Sequence, residues 1–467
     1  MHEPHSPPTR ARMILLALLA SLVFILYLDR VCIGKAAPRI EEELGISHTQ
    51  MGYLFGAFTI AYGLFEVPTG RWGDRYGSRG VLTRIVLWWS LFTALTGCVP
   101  VFSWDTGWSA PWSSATGEAA RLAIDSFAIL LVVRFLFGAG EAGALPNNAR
   151  VVARWFPLRE RGVVQGTILT CQQLGGACAP ILAGYMIEGV GWRWSFVLFG
   201  FVGIVWAALF YQWFRDNPAE HPGTNAAERA LIAAGREGTA DDGAHPPVPW
   251  GRVAGSLNVW LLGAIMNCGA FAAYMYMFWF PTYLQKGCDV EEIRAGWLAG
   301  MVMAGGATGA WCGGWLTGRI EQWTGEPIWG RRLLGGICLT LGALALSAIP
   351  FLESPISVAL CATLACAVSQ TQIGNWWSVV MLISGRHVGA LFGLMNSMGV
   401  VGAFTSPLFF GWFADWRKSL GFLGRAQWDP AFWLYAGVLF TGAVCWLFVD
   451  PSHSVVDDPD DSLKASG

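Results

Sequence analysis

The chain has 467 residues, 54% of them hydrophobic and only 13% charged, with a mean hydropathy of +0.45 and a formal net charge of −2. Soluble domains carry roughly 25% charged residues, so this composition excludes an ordinary soluble protein and indicates a polytopic membrane protein. The net charge carries little information; the places where the charges sit carry more.

The first apolar run is long and is followed by Asp29 and Arg30 rather than by a small-residue cleavage site, so it reads as an uncleaved first span. Apolar stretches long enough to cross about 30 Å of hydrocarbon number twelve. They fall near residues 13–34, 48–70, 80–101, 124–146, 162–187 and 193–214, then 256–284, 295–317, 331–351, 354–383, 388–412 and 430–450. The expected fold is therefore an all-α membrane protein of twelve transmembrane helices in two six-helix bundles. The expected organisation is an N-terminal bundle over 1–214, a cytoplasmic linker over 215–255, a C-terminal bundle over 256–450 and a disordered acidic tail over 451–467. Lys and Arg concentrate in alternate polar segments in a way that places both termini in the cytoplasm.

Within the linker, Asn225 to Glu237 reads as a short surface helix capped by Thr224. The outer segment 102–123 carries Trp104, Trp108 and Trp112, rings suited to a membrane interface, and reads as an amphipathic lip. The 58 glycines recur at helical spacing in several spans, where small residues let helices approach closely. The 11 cysteines are scattered without paired or metal-like spacing, so no cofactor or metal chemistry is assigned to them. No histidine lies deep in a span.

Ionisable residues inside spans are costly, on the order of 3 kcal/mol each by insertion scales, and tend to line polar pathways. Two sets stand out. Arg134 and Glu141 lie seven residues apart in the fourth run, about two helical turns, on one face and roughly 10.5 Å apart along the axis. Asp29 and Arg30 sit near the end of the first run. Together they read as a proton and anion pathway, with a structural ion pair between helices as the alternative. A planar guanidinium is a good carboxylate clamp because its fork pairs both oxygens. Burial favours the neutral form of a carboxyl and a nearby arginine the ionised form, so the two acids are candidates to exchange protons.

The loop Gly70-Arg71-Trp72-Gly73-Asp74-Arg75-Tyr76-Gly77-Ser78-Arg79 resembles the G-x-x-x-D-R-x-G-x-R signature of the major facilitator superfamily. Further stretches resemble the anion:cation symporter family, which includes bacterial galactonate, glucarate and hexuronate carriers. They are Tyr27-Leu28-Asp29-Arg30 with Ala36-Ala37-Pro38, Gly140-Glu141-Ala142 with Pro146, Trp155-Phe156-Pro157, Asp216-Asn217-Pro218, Trp279-Phe280-Pro281 and Gly393-Leu394-Met395-Asn396. The second half departs from the pattern: Gly318 stands where an acid is expected.

The resemblance implies two pseudo-symmetric halves and alternating access around a midplane site. By that resemblance Arg30 contacts the substrate carboxylate, Arg134 couples to Glu141, and Tyr27, Tyr62, Gln172, Trp376 and Asn396 face the site. Tyr62 and Trp376 read equally well as packing aromatics. Asp74, Arg75 and Arg79 would form a gating latch. The expected function is proton-coupled symport of a small organic anion such as a sugar acid. The expected setting is a monomer in the bacterial inner membrane, with the lipid bilayer and no nucleic acid as partner. Competing readings are an exporter or multidrug-type pump and a transporter-like solute sensor. No nucleophile–base set suggests an enzyme.

Overall fold

The structure, a computed structural model, describes residues 7–113, 119–233, 248–324, 327–384 and 387–450, with Ser452 and Val455. The chain divides into two compact units, Met1–Ala240 and Asp241–Gly467. Apart from Ser452 and Val455, the acidic tail falls outside the described residues, as do residues 234–247.

The first unit begins with α1 (Ala11–Leu44), α2 (His48–Tyr76) and α3 (Ser78–Gly97). A hairpin of β1 (Ser103–Ser113) and β2 (Ala119–Asp125) follows. The unit continues through α4 (Ser126–Glu141), α5 (Ala144–Trp155), α6 (Leu158–Trp213) and the short α7 (Ala226–Ala233). The second unit holds α8 (Trp250–Gly255), α9 (Leu257–Phe278), the turn α10 (Phe280–Thr282), α11 (Glu292–Thr324) and α12 (Pro327–Ala348). It closes with α13 (Pro355–Ser384), α14 (Val388–Ser419), α15 (Arg425–Trp428) and α16 (Ala431–Phe448).

Among the described residues nine helical runs are long and apolar enough to cross a membrane. One of them contains two crossings: α6 spans 56 residues, and Gly191 in its middle has φ 81° and ψ 158°, which ends one helix and starts the next. That conformation lies in a region that glycine alone enters cheaply. With α2 (29 residues) and α11 (33 residues), both long enough to cross, the twelve expected spans are present, six to a unit.

Within the first unit α6 packs on α1 and α3, and α2 on α4; within the second, α11 packs on α13, α9 on α14, and α12 on α13 and α16. Two glycines show how closely. A Cβ on Gly138 of α4 would sit 2.4 Å from the Phe58 carbonyl oxygen of α2, and one on Gly313 of α11 would sit 1.9 Å from the Thr371 carbonyl oxygen of α13. Backbone meets backbone at both places, the approach that small residues permit in lipid.

The strands β1 and β2 pair antiparallel, with Ser103 opposite Asp125 and Trp104 opposite Ile124. Trp104 is exposed, as the interfacial reading requires, while the Trp108 and Trp112 side chains lie outside those described. Asp125 leaves the ribbon as the cap of α4, accepting from the Ala128 amide at 2.9 Å. The cap of α7 is Asn225, whose Oδ1 accepts from the Glu228 amide at 2.9 Å. Thr224 is not the cap, because its hydroxyl turns back to donate to the Pro218 carbonyl at 2.6 Å.

That corner is tied to the start of α1. Glu228 is fully buried and accepts from the Arg12 amide (3.1 Å) and guanidinium (3.3 Å) and from the Thr9 hydroxyl. Arg12 also reaches Glu160 at 3.0 Å. Beside this cluster His221 is buried against the rings of Trp155 (5.4 Å) and Trp213 (4.4 Å).

Candidate functional site

Asp29 and Arg30 lie in the middle of α1 and Arg134 and Glu141 on α4; all four are buried. Arg30 Nε donates to Glu141 Oε1 at 2.9 Å, and its Nη2 donates to the same oxygen. Glu141 therefore takes its hydrogen bonds from Arg30, and the expected coupling with Arg134 is one of charge without direct contact. Two turns of one helix hold those two groups too far apart for direct contact, whereas α1 carries Arg30 alongside the end of α4.

Arg134 instead stacks over Phe137 (4.4 Å) and Phe58 (5.6 Å). Among the described residues its three guanidinium nitrogens have no hydrogen-bond partner, and neither do the two oxygens of Asp29. Asp29 lies within electrostatic reach of both Arg134 and Glu141, so the second acid and the second arginine attract each other without direct contact.

Arg30 is surrounded by π faces: its Cζ lies 4.9 Å from the Tyr27 ring, 5.0 Å from Phe58 and 4.8 Å from Tyr62. Such faces stabilise a guanidinium while leaving its edge free to donate. Gln172 of α6 donates to the Tyr27 hydroxyl at 2.8 Å. The first unit thus gathers Tyr27, Asp29, Arg30, Tyr62, Arg134, Glu141 and Gln172 from four helices.

Two members escape sequence reading. Phe58 lies against both guanidiniums, and Glu66 is a half-buried carboxylate close enough to feel the charge of Arg30. Phe58, Tyr62 and Glu66 are spaced four residues apart, one stripe of α2, and an acid in that stripe is the signal that would have found them.

The two candidates in the second unit are less alike. Trp376 is buried on α13, donates to the Leu262 carbonyl at 2.9 Å and packs edge-on to Phe392 at 5.6 Å, so its polar atom is engaged inside the unit. Asn396 is half-buried on α14.

At the α2–α3 turn the Asp74 side chain lies outside those described, and Arg75 is exposed beside the Tyr76 ring at 5.4 Å. The described carboxylate at this turn is Asp216, which accepts from the Ser78 amide at 2.6 Å and the Arg79 amide at 3.1 Å. The Arg79 guanidinium donates to the Tyr211 carbonyl at 2.9 and 2.6 Å. Gly77 has φ 81°, and a Cβ there would come within 2.8 Å of Asp216 Oδ2, so only glycine lets the acid reach the helix start.

Twelve spans in two units, with an arginine–carboxylate cluster buried inside one of them, define a multi-pass membrane protein with a charged site within its first unit. The chain belongs to the Major Facilitator Superfamily, whose family pattern it matches over residues 19–407. It is 29% identical to a probable sulfoacetate transporter of Cupriavidus necator, over 97% of this chain and 96% of that one. It is 27% identical to the D-galactonate transporter of Escherichia coli O6:H1 (95% and 96% covered) and 26% to a probable galactarate/D-glucarate transporter of Bacillus subtilis (88% of each). In fold it is similar to an inward-facing bacterial homolog of the human lysosomal transporter Spinster (TM-score 0.68, 18% identity, 94% and 95% covered). It is also similar to a D-xylose–proton symporter (TM-score 0.68, 14% identity, 94% and 98% covered).

Proposed function

We propose that the protein is a proton-coupled symporter of a small organic anion, a sugar acid or a related carboxylate or sulfonate, working by alternating access. The observation that carries this reading is the buried Arg30–Glu141 pair, with Arg134 and Asp29 beside it. The relatives with similar chains are named for small anions, sulfoacetate, galactarate/glucarate and galactonate, which suits a site built on arginine.

In this mechanism Arg30 is the clamp. Its edge is occupied by Glu141 until an anion competes for it. A substrate that takes the guanidinium deprives Glu141 of its hydrogen-bonded counter-ion in a buried place, which shifts the acid toward its protonated form. The neutral carboxyl then crosses the conformational change at lower cost than the ion. Arg134 and Asp29 form a second acid–base set able to hold a second proton. Tyr27, Tyr62 and Gln172 in the first unit and Asn396 in the second are the proposed partners for substrate hydroxyls, and Trp376, whose N–H is taken by the Leu262 carbonyl, is proposed to offer its ring alone. Asp74, Arg75 and Arg79 are the proposed gating residues. The bacterial relatives support an inner-membrane location; we further propose cytoplasmic termini and a monomer.

The test is uptake into proteoliposomes with and without an imposed pH gradient. Glu141→Gln mimics the protonated acid permanently, so it should still bind substrate yet lose accumulation driven by the gradient. Gradient-driven accumulation that survives in Glu141→Gln would make the Arg30–Glu141 pair structural and overturn the coupling.

A further inference from the structure

Three helical stripes of the first unit converge on a groove of about 640 Å³, away from the charged cluster. Phe65, Trp72 and Tyr76 come from α2, Arg84 and Trp88 from α3, and Leu136, Ala139 and Gly140 from α4. The volume is that of a small-molecule cleft, roughly 300–1,000 Å³, and the walls are almost wholly apolar. The four aromatic rings are exposed, as expected of a surface turned to lipid.

Arg84 is the exception on this wall. It is exposed and lies six residues into α3, about 9 Å from the helix start. Among the described residues no carboxylate or carbonyl takes its guanidinium. An unpaired arginine among hydrocarbon is costly, and basic pockets between transmembrane helices suit anionic headgroups. A second groove, of about 280 Å³ between α12 and α16, sharpens the contrast. Its Arg332 is already satisfied, donating to the Val449 carbonyl at 2.5 Å and lying 5.3 Å from the Trp329 ring.

We propose that the α2–α3–α4 groove binds an anionic phospholipid, one acyl chain lying between the aromatic walls and the headgroup phosphate paired with Arg84. The exposed Arg75 at the same end of α2 adds to the attraction for negative charge. The floor of the groove is rigid: Trp88 donates to the Leu136 carbonyl at 2.8 Å, and its ring leaves no room for a Cβ on Gly140. The groove is a site on the outside of the helix that carries Arg134 and Glu141 on its inner face, and lipid there supports that helix from behind.

The experiment uses the full chain in detergent, delipidated and then offered phosphatidylglycerol or phosphatidylcholine with matched acyl chains, with retained lipid counted by native mass spectrometry. Phosphatidylglycerol should be retained at least about five-fold over phosphatidylcholine. Arg84→Gln should abolish that preference while leaving phosphatidylcholine retention unchanged, and Arg84→Lys should keep part of it. Leu136→Trp, which fills the groove, should lower retention of both lipids. Equal retention of the two lipids by the unaltered protein would overturn the proposal, as would an unchanged preference in Arg84→Gln. Unchanged retention in Leu136→Trp would show that the chain does not lie in the groove. An equal loss in Arg75→Gln would reduce the effect to diffuse charge, and would also overturn it.

Discussion

Among its contacts Arg30 meets the rings of Tyr27, Phe58 and Tyr62 and the Glu141 carboxylate, and the two kinds of contact have separate consequences. The rings fix where the guanidinium sits, and the carboxylate uses the edge that a substrate would use. Lysine keeps the charge but cannot offer two parallel donors. Arg30→Lys should therefore lower substrate affinity at least about tenfold in equilibrium binding, with the fold intact; unchanged affinity would remove Arg30 from the site. Glu66 acts in the opposite sense. It places a negative charge near Arg30, so Glu66→Gln should tighten anion binding several-fold, measured in the same assay. Apart from Glu66, the charges of this cluster were legible in the sequence because an ionisable residue inside an apolar run is conspicuous. Their pairing was not. Arg134 and Glu141 share a helix and a face, but contact with Glu141 is decided by the packing of α1 against α4, across 111 positions of chain.

The spans themselves were legible from hydrophobic length alone, down to the break near residue 190, because lipid demands about 20 apolar residues for each crossing. What connects them was less so. The aromatic residues of β1 suit an interfacial lip in any backbone form, and the pairing of β1 with β2 is a matter that composition does not carry. The cap of α3 shows another limit: Asp216 lies 138 positions from the amide it accepts. An acidic cap stabilises a helix start by about 1 kcal/mol. Asp216→Ala should thus lower thermal stability measurably, with Asp216→Asn recovering most of it. If melting of Asp216→Ala matches that of the unaltered protein, the cap contributes nothing to stability.

In the whole molecule, the division into two units falls at Ala240 and Asp241, within a polar stretch. The first unit is fastened where Thr9 and Arg12 meet Glu228, and His221 sits in the same corner. Burial holds the His221 imidazole below its ordinary value, near 6.5, with the charge of Arg215 adding to the effect. The unfolded chain therefore binds a proton before the folded one does. Stability from this residue is fully present above about pH 6.5 and is lost as pH falls below it. The melting temperature should drop between pH 7 and pH 5, and His221→Gln should flatten part of that drop. An identical pH profile in His221→Gln would place the sensitivity elsewhere.

The close approach at Gly138 and Gly313 bears on how a saturation mutagenesis screen of this chain would be interpreted. Neither residue belongs to the charged cluster, yet both adjoin a neighbouring backbone that cannot yield to a methyl group. A screen scored by uptake alone would rank them with Arg30 and Glu141. Scoring the amount of folded protein in parallel separates the two classes: alanine at Gly138 or Gly313 should deplete the protein from the membrane, whereas Glu141→Gln should leave it abundant and uncoupled.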